Sequence, residues 1–270
     1  MDDGGVPGRL LIIGGAEDRC QRAEVLERFT QMCGGDDARI VVVTAAADVP
    51  GPVLAEYQRV FRKLGVRHVR ELAISGRADA DSPRATHALN DATGVFLCGG
   101  DQSRLRTLVG SRINDQLLER LGAGLVVAGT SAGATALGRT MILGGNGADV
   151  SAATVRIGPG LGLMPRALID MHFGERGRLP RLLSAVTLDP DRLGVGIDEN
   201  TAICVSGESF EVLGSGVVTV VDALRSTVVH AASDADPVTL FDVRLHLLPA
   251  GCVFDIGGRS PAIGPAHARY

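Results

Sequence analysis

Gly129-Thr130-Ser131-Ala132-Gly133 has the G-x-S-x-G spacing of a nucleophile elbow. Small residues at its ends let a strand turn sharply into a helix. Such a turn lifts the Ser131 hydroxyl above the sheet edge. It also aims the Ala132 N–H and the helix N-terminus at a developing oxyanion. In a glycine-rich chain the same five residues also fit an ordinary strand-to-helix turn with a capping serine. The buried run Leu125-Val126-Val127-Ala128 directly before them favours the chemical reading.

A serine hydroxyl needs a base to act as a nucleophile. The chain holds six histidines. His68 and His246 fall in alternating, strand-like segments, His87 in a helix-like stretch, His230 in an apolar strand and His267 in the tail. Those settings suit structural or solvated side chains. His172 differs, because Leu168-Ile169-Asp170-Met171 gives way there to Phe173-Gly174-Glu175-Arg176. That is the pattern of a strand end feeding a site; a surface histidine at a helix start is the alternative. A third group must orient the imidazole. Gly196-Ile197-Asp198-Glu199-Asn200 ends a strand in two adjacent carboxylates, and strand neighbours point to opposite faces. Periodicity leaves open which one faces the site, and a solvated acidic turn is the plainer meaning.

Arg176, Arg178 and Arg181 follow the histidine closely. Guanidinium groups pair bidentately with carboxylates, and Asp170 could meet a guanidinium or amino group. A mixed pocket of this kind suits a substrate bearing both charges. A solvated helix face, with Arg178 and Arg181 as i,i+3 neighbours, is the alternative. Asp101 and Gln102, after Gly99-Gly100, are equally suited to cap a helix.

The elements that must carry these groups alternate. Arg9–Ile13, Ile40–Val43, Val66–Leu72, Gly94–Cys98 and Leu125–Ala128 read as strands. Helical patterns run over Arg22–Met32 and Val53–Leu64, and one long helix is expected from Leu105 to Leu121. The fold class is therefore α/β, a mostly parallel, doubly wound sheet with helices on both faces. Such sheets place their sites at the carboxyl ends of strands, where Gly14-Gly15, Gly99-Gly100 and Gly129 fall. In the C-terminal third, Leu193–Ile197, Ala202–Val205, Val217–Val221 and Val238–Leu248 read as strands that extend this sheet or form a small annex. No linker divides the chain, so residues 1–270 are expected to form a single domain.

Composition limits the partners. The chain has 270 residues, 27 Lys+Arg against 31 Asp+Glu, and a formal net charge of −4. It has no Trp and only two Tyr. That is not the footprint of a nucleic-acid binder. No apolar run is long enough to span a membrane. The start of the chain lacks the pattern of a secretory signal. Cys20, Cys33, Cys98, Cys204 and Cys252 are odd in number and scattered, which suits free thiols in a reducing cytoplasm better than disulfides or a zinc site. Gly144-Gly145-Asn146-Gly147 is a candidate mobile segment.

Five stretches together resemble the cyanophycinase family, and more broadly the serine peptidases of the dipeptidase E group with a class I glutamine-amidotransferase-like fold. They are Ile13-Gly14-Gly15-Ala16-Glu17-Asp18, Gly99-Gly100-Asp101-Gln102, Gly129–Ala134, Asp170-Met171-His172-Phe173 with the three arginines, and Gly196-Ile197-Asp198-Glu199. The resemblance implies Ser131 as nucleophile, His172 as general base and Glu199, not Asp198, as the orienting carboxylate. The oxyanion hole would combine the Ala132 N–H with one from Gly99 or Gly100. Gln102, Asp170, Arg176, Arg178 and Arg181 fall on substrate-pocket positions. The implied substrate is cyanophycin, an Asp backbone with Arg on each side-chain carboxyl, and the implied product is the β-aspartyl-arginine dipeptide. No cofactor or metal is called for, and a homodimer is implied. Met171 stands where the family often has Gln, and its thioether cannot make a hydrogen bond of comparable strength. Two other readings are a dipeptidase for Asp-X or isoaspartyl peptides and a non-catalytic relative that binds acidic peptides. An amidotransferase would carry Cys, not Ser131, at the elbow.

Overall fold

The computed structural model describes residues 8–145, 149–229 and 233–264. His230, His267 and the Asn146-Gly147 part of the candidate mobile segment lie outside the described residues.

Five strands form the parallel half of the main sheet: β1 (Arg9–Ile13), β2 (Arg39–Val43), β3 (His68–Leu72), β4 (Gly94–Leu97) and β5 (Val126–Thr130), in the order β1-β5-β4-β2-β3. β1 lies beside β5, its residues Arg9 to Ile13 in register with Val126 to Thr130. Both faces are apolar because both are covered. Leu11, Ile13, Ile40 and Val42 face α1 (Glu24–Met32) and α2 (Pro50–Lys63). Leu10, Ile12, Val41, Val43 and Val127 pack on the other side with Leu89 of α4 (Pro83–Leu89), which follows the short α3 (Arg77–Ala80). Burial on both faces is why these strands read as continuous apolar runs instead of alternating ones.

The long helix expected from Leu105 to Leu121 is two. Gln102–Leu105 forms α5 and Arg112–Gly122 forms α6. Gly110 takes a φ of 66°, and the Ser111 side chain accepts from the Asn114 N–H at 3.3 Å, capping α6. The apolar spacing runs through the break because Leu105, Leu108, Ile113 and Leu117 all bury against the same face. α7 (Ala132–Ala136) then starts directly from the end of β5.

The remaining strands divide. β6 (Thr140–Gly144) and β7 (Arg156–Pro159) make a separate hairpin. β8 (Ala167–Met171), with α8 (Leu179–Leu188) after it, pairs in parallel with β9 (Leu193–Ile197). β10 (Thr201–Ser206) joins the main sheet antiparallel to β1, followed outward by β11 (Ser209–Gly214). β12 (Val217–Asp222) returns to β9. The expected strand over Val238–Leu248 is broken: β13 (Thr227–Val229) pairs with β14 (Thr239–Phe241), and β15 (Arg244–Pro249) pairs with β12. Asp242 at the break has a φ of 58°. β16 (Cys252–Asp255) and β17 (Ser260–Ile263) finish the antiparallel wing of the main sheet. The C-terminal strands thus both extend the sheet and build an annex of order β15-β12-β9-β8. Among the described residues no helix is long and apolar enough to cross a membrane.

Four aromatic residues gather under one face of the parallel strands. Phe96 of β4 lies 4.6 Å from the Tyr57 ring, 5.5 Å from Phe29 and 5.6 Å from Phe61. Phe96→Ala should cost about 3–5 kcal/mol, read as a lower urea midpoint with an unchanged m-value.

Candidate active site

Ser131 stands at the tip of β5 with φ 51° and ψ −114°. That is a strained backbone for an L-residue, and it turns the hydroxyl out of the sheet. Glycine makes the turn possible: a Cβ on Gly129 would lie 2.4 Å from the Gly133 carbonyl oxygen, and one on Gly133 would lie 2.2 Å from that of Leu97. The Ser131 Oγ is 2.8 Å from His172 Nε2, and His172 Nδ1 is 2.6 Å from Glu199 Oε1. A carboxylate only accepts, so Nδ1 carries the proton and Nε2 is left to accept from the serine. The three side chains are thus in the geometry of a Ser-His-Glu relay.

They come from three places in the fold. Ser131 ends a strand of the main sheet. His172 follows β8 of the annex, and Glu199 lies in the turn from β9 to β10. One short segment joins them. Ser131 N–H donates to the Ile13 carbonyl at 3.1 Å, His172 N–H to Gly14 at 2.8 Å and Asn200 N–H to Gly15 at 2.8 Å. Gly14 and Gly15 leave the needed room. A Cβ on Gly14 would fall 2.0 Å from the Asp198 carbonyl oxygen, and one on Gly15 would fall 2.4 Å from His172 Cε1.

The two candidate carboxylates have separate tasks. Asp198 accepts from the N–H groups of Gly174 at 2.8 Å and Val217 at 3.0 Å, so it ties the turn after His172 to β12. Glu199 alone meets the imidazole. Gly99 lies against Ser131: a Cβ there would be 3.2 Å from the Ser131 Cβ. Among the described residues, the N–H groups of Gly99, Gly100 and Ala132 have no acceptor in turns, loops or caps. Of these, Gly99 and Ala132 lie beside Ser131, whereas Gly100 packs against Ala46.

The expected substrate residues fare differently. Arg176 is exposed in the turn after His172. Arg178 is half-buried and donates to the Met171 carbonyl and, at 3.0 Å, to the Met171 sulfur. Burial lowers its pKa to about 10, with Asp170 opposing, so it keeps its charge at neutral pH. Asp170 and Arg181 meet each other. Asp170 is fully buried, with Oδ2 taken by Arg181 Nε at 2.9 Å and Oδ1 by Arg181 Nη2 and the Met171 N–H. The guanidinium that Asp170 meets is therefore this chain's own. Gln102 donates to the Leu143 carbonyl at 2.7 Å, while Asp101 caps α5 through the Ser103 N–H at 2.8 Å.

Sequence reasoning left Glu17 unassigned. Its carboxylate is buried and accepts from Thr130 Oγ1 at 2.6 Å, Tyr57 Oη at 2.6 Å and Arg19 Nη2 at 2.9 Å. It thereby fixes Thr130, the residue before Ser131. The available signal was an acid in Gly14-Gly15-Ala16-Glu17 directly after a buried strand. Asp18, next to it, accepts from the N–H groups of residues 20 to 23 at 2.7–3.0 Å. Those bonds, led by Gln21 and Ala23, hold its pKa well below the usual carboxylate range.

Residues 10–213 match the model of Peptidase family S51. The chain belongs to that family. This S51 peptidase is 39% identical over 258 residues to the cyanophycinase of Synechococcus elongatus, covering 93% of this chain and 80% of that one. It is 36% identical over 261 residues to the cyanophycinase of Geminocystis herdmanii, covering 94% and 96%. The solved structure of a peptidase from an acI-B1 Actinobacterium aligns with a TM-score of 0.68 at 20% identity, over 93% of this chain and 98% of that one, and so shares the fold. A putative peptidase E protein from Listeria monocytogenes aligns at 0.53 and 16% identity, over 77% and 98%.

Two outcomes test the geometry. Gly15→Ala should push the imidazole off Ser131 and cut kcat by about 100-fold or more, and it should also lower the thermal midpoint, because Gly15 has a φ of 106° that alanine adopts only under strain. Asp18→Ala should destabilise the S51 peptidase at pH 7. A depressed carboxylate pKa adds stability above the unfolded value and loses it as pH falls toward the folded one. The gap in midpoint between variant and wild type should therefore narrow below about pH 4.

Proposed function

We propose that the chain hydrolyses cyanophycin, releasing β-aspartyl-arginine dipeptides as a serine exopeptidase. The likeness to cyanophycinases over more than nine-tenths of the chain carries this reading. The unbroken hydrogen-bonded row from Ser131 through His172 to Glu199 supports the roles.

Ser131 Oγ attacks the scissile carbonyl carbon while His172 Nε2 takes its proton. Glu199 holds the Nδ1 proton and stabilises the imidazolium. The carbonyl oxygen becomes an oxyanion and takes the N–H groups of Ala132 and of Gly99 or Gly100. His172 returns the proton to the leaving amine, the C–N bond breaks and an acyl-serine remains. Water then attacks that ester with His172 again as base, freeing the carboxylate and Ser131. Arg176 meets a substrate carboxylate, and Arg178 supports it with the donors left after Met171. No cysteine competes for the nucleophile's part at the site: burial pushes the Cys98 thiol up to about 12, which keeps it protonated. The reading includes a single working domain, a homodimer and a cytoplasmic setting, the last in keeping with five free thiols.

A second reading keeps the chemistry and takes aspartyl or isoaspartyl dipeptides. Met171 in place of Gln favours testing it. Product analysis after incubation with cyanophycin, beside a panel of such dipeptides, separates the two. Ser131→Ala should abolish release of β-aspartyl-arginine and leave the circular dichroism spectrum unchanged. Turnover retained by that variant overturns the assignment of the nucleophile.

A further inference from the structure

The carboxyl ends of β2 and β3 frame a second cavity, of about 380 Å³, lined among others by Ala47, Asp48, Ser75, Arg104 and Thr107. That volume lies within the range of small-ligand sites, about 300–1,000 Å³. It opens at the same end of the sheet as Ser131, because β2, β3, β4 and β5 all run parallel. Only β4 separates β5 from β2. The cavity thus stands about two strand spacings, roughly 10 Å, from the nucleophile. The wall between them is the turn at Gly99-Gly100, held down where the Asp101 N–H meets the Ala46 carbonyl at 2.9 Å.

The two flanks of Ser131 are unlike. Toward β1 stand His172, Glu199 and the turn with Arg176. Toward β4 stand the free glycine N–H groups and then this cavity. A terminal dipeptide unit seated at Arg176 leaves the rest of a polymer to run across the glycine turn. An extended chain covers 10 Å in about three residues.

The lining matches what would arrive there. Asp48 and Arg104 pair at 2.6 Å, with side chains 79% and 45% exposed. An exposed pair gains little from its own contact, so each charge can exchange its partner for a ligand's. A carboxylate and a guanidinium side by side complement a unit that carries one of each.

We propose that this cavity is a subsite for the retained part of a zwitterionic polymer, binding a unit with a free carboxylate and a guanidinium about three residues from the scissile bond. The proposal rests on the cyanophycin reading. The test compares steady-state kinetics on long cyanophycin with those on an oligomer of two β-aspartyl-arginine units, which is too short to reach the cavity. Asp48→Ala is the deciding variant, since that side chain is mostly in solvent. Arg104→Ala is the second, with a thermal melt to check the loop, because Arg104 Nη1 also donates to the Ala47 carbonyl at 2.9 Å. Asp48→Ala should raise KM for the polymer about five-fold, the upper end for exposed pairs, and leave kcat and the short-oligomer KM unchanged. Equal shifts on both substrates, or none on either, overturn the subsite while the cyanophycin reading stands. A wild-type enzyme that leaves the polymer intact overturns that reading and the subsite with it.

Discussion

Three consecutive carbonyls, those of Ile13, Gly14 and Gly15, accept from the backbone N–H groups of Ser131, His172 and Asn200. These donors are scattered along the chain and follow strands of two different sheets. Each bond is an ordinary backbone contact, worth about 1 kcal/mol net. Together they set the relative heights of Ser131, His172 and the turn bearing Glu199. The row works only because Gly14 and Gly15 carry no side chain, since a methyl group on either would strike the Asp198 carbonyl or the His172 ring. The first strand and the glycine turn after it are thus the frame of the site, although they add no group to the relay.

That frame holds a strained set of residues. Ala16, Ser131, His172 and Asn200 all take φ values between 47° and 51°. Such backbones cost about 1–3 kcal/mol each in non-glycine residues. Rigid surroundings must impose them. Glu17 supplies part of this below the elbow, where its carboxylate joins Thr130 to Tyr57 and Arg19. Tyr57 in turn stacks within the Phe29, Phe61 and Phe96 cluster. The path from an apolar core to Ser131 therefore passes through one buried carboxylate. The strain positions the Ser131 hydroxyl before substrate arrives, which is what a preorganised site requires.

The parallel strands were legible because burial on both faces gives short apolar runs that end in glycine. The elbow was legible because its glycines meet a backbone demand at fixed spacing. The break before α6 was not, since Leu105, Leu108, Ile113 and Leu117 keep a helical rhythm across it and only Gly110-Ser111 marks the stop. Strand period could not choose between Asp198 and Glu199. The choice depends on where the annex sheet places the β9 end, and that is tertiary information. Nor could spacing reveal Glu17, because its partners Tyr57 and Thr130 are remote in sequence. Proximity along the chain could not tell that Arg181 is nearly buried and paired with Asp170, because that contact depends on how α8 packs beside β8.

That pairing changes the meaning of Met171. A buried ion pair adds little net stability, but breaking one leaves a costly unpaired charge. Asp170 and Arg181 therefore lock β8 to α8, and Arg181 Nη1 reaches on to the Gly145 carbonyl at 3.3 Å. Gln102 holds the neighbouring Leu143 carbonyl, so the end of β6 is fastened from two sides. The Met171 side chain is buried inside this frame, where its sulfur receives Arg178. A glutamine at that position would offer Arg178 a stronger acceptor. Met171 thus bears on how Arg178 is held, apart from the hydrogen-bonded row of Ser131, His172 and Glu199.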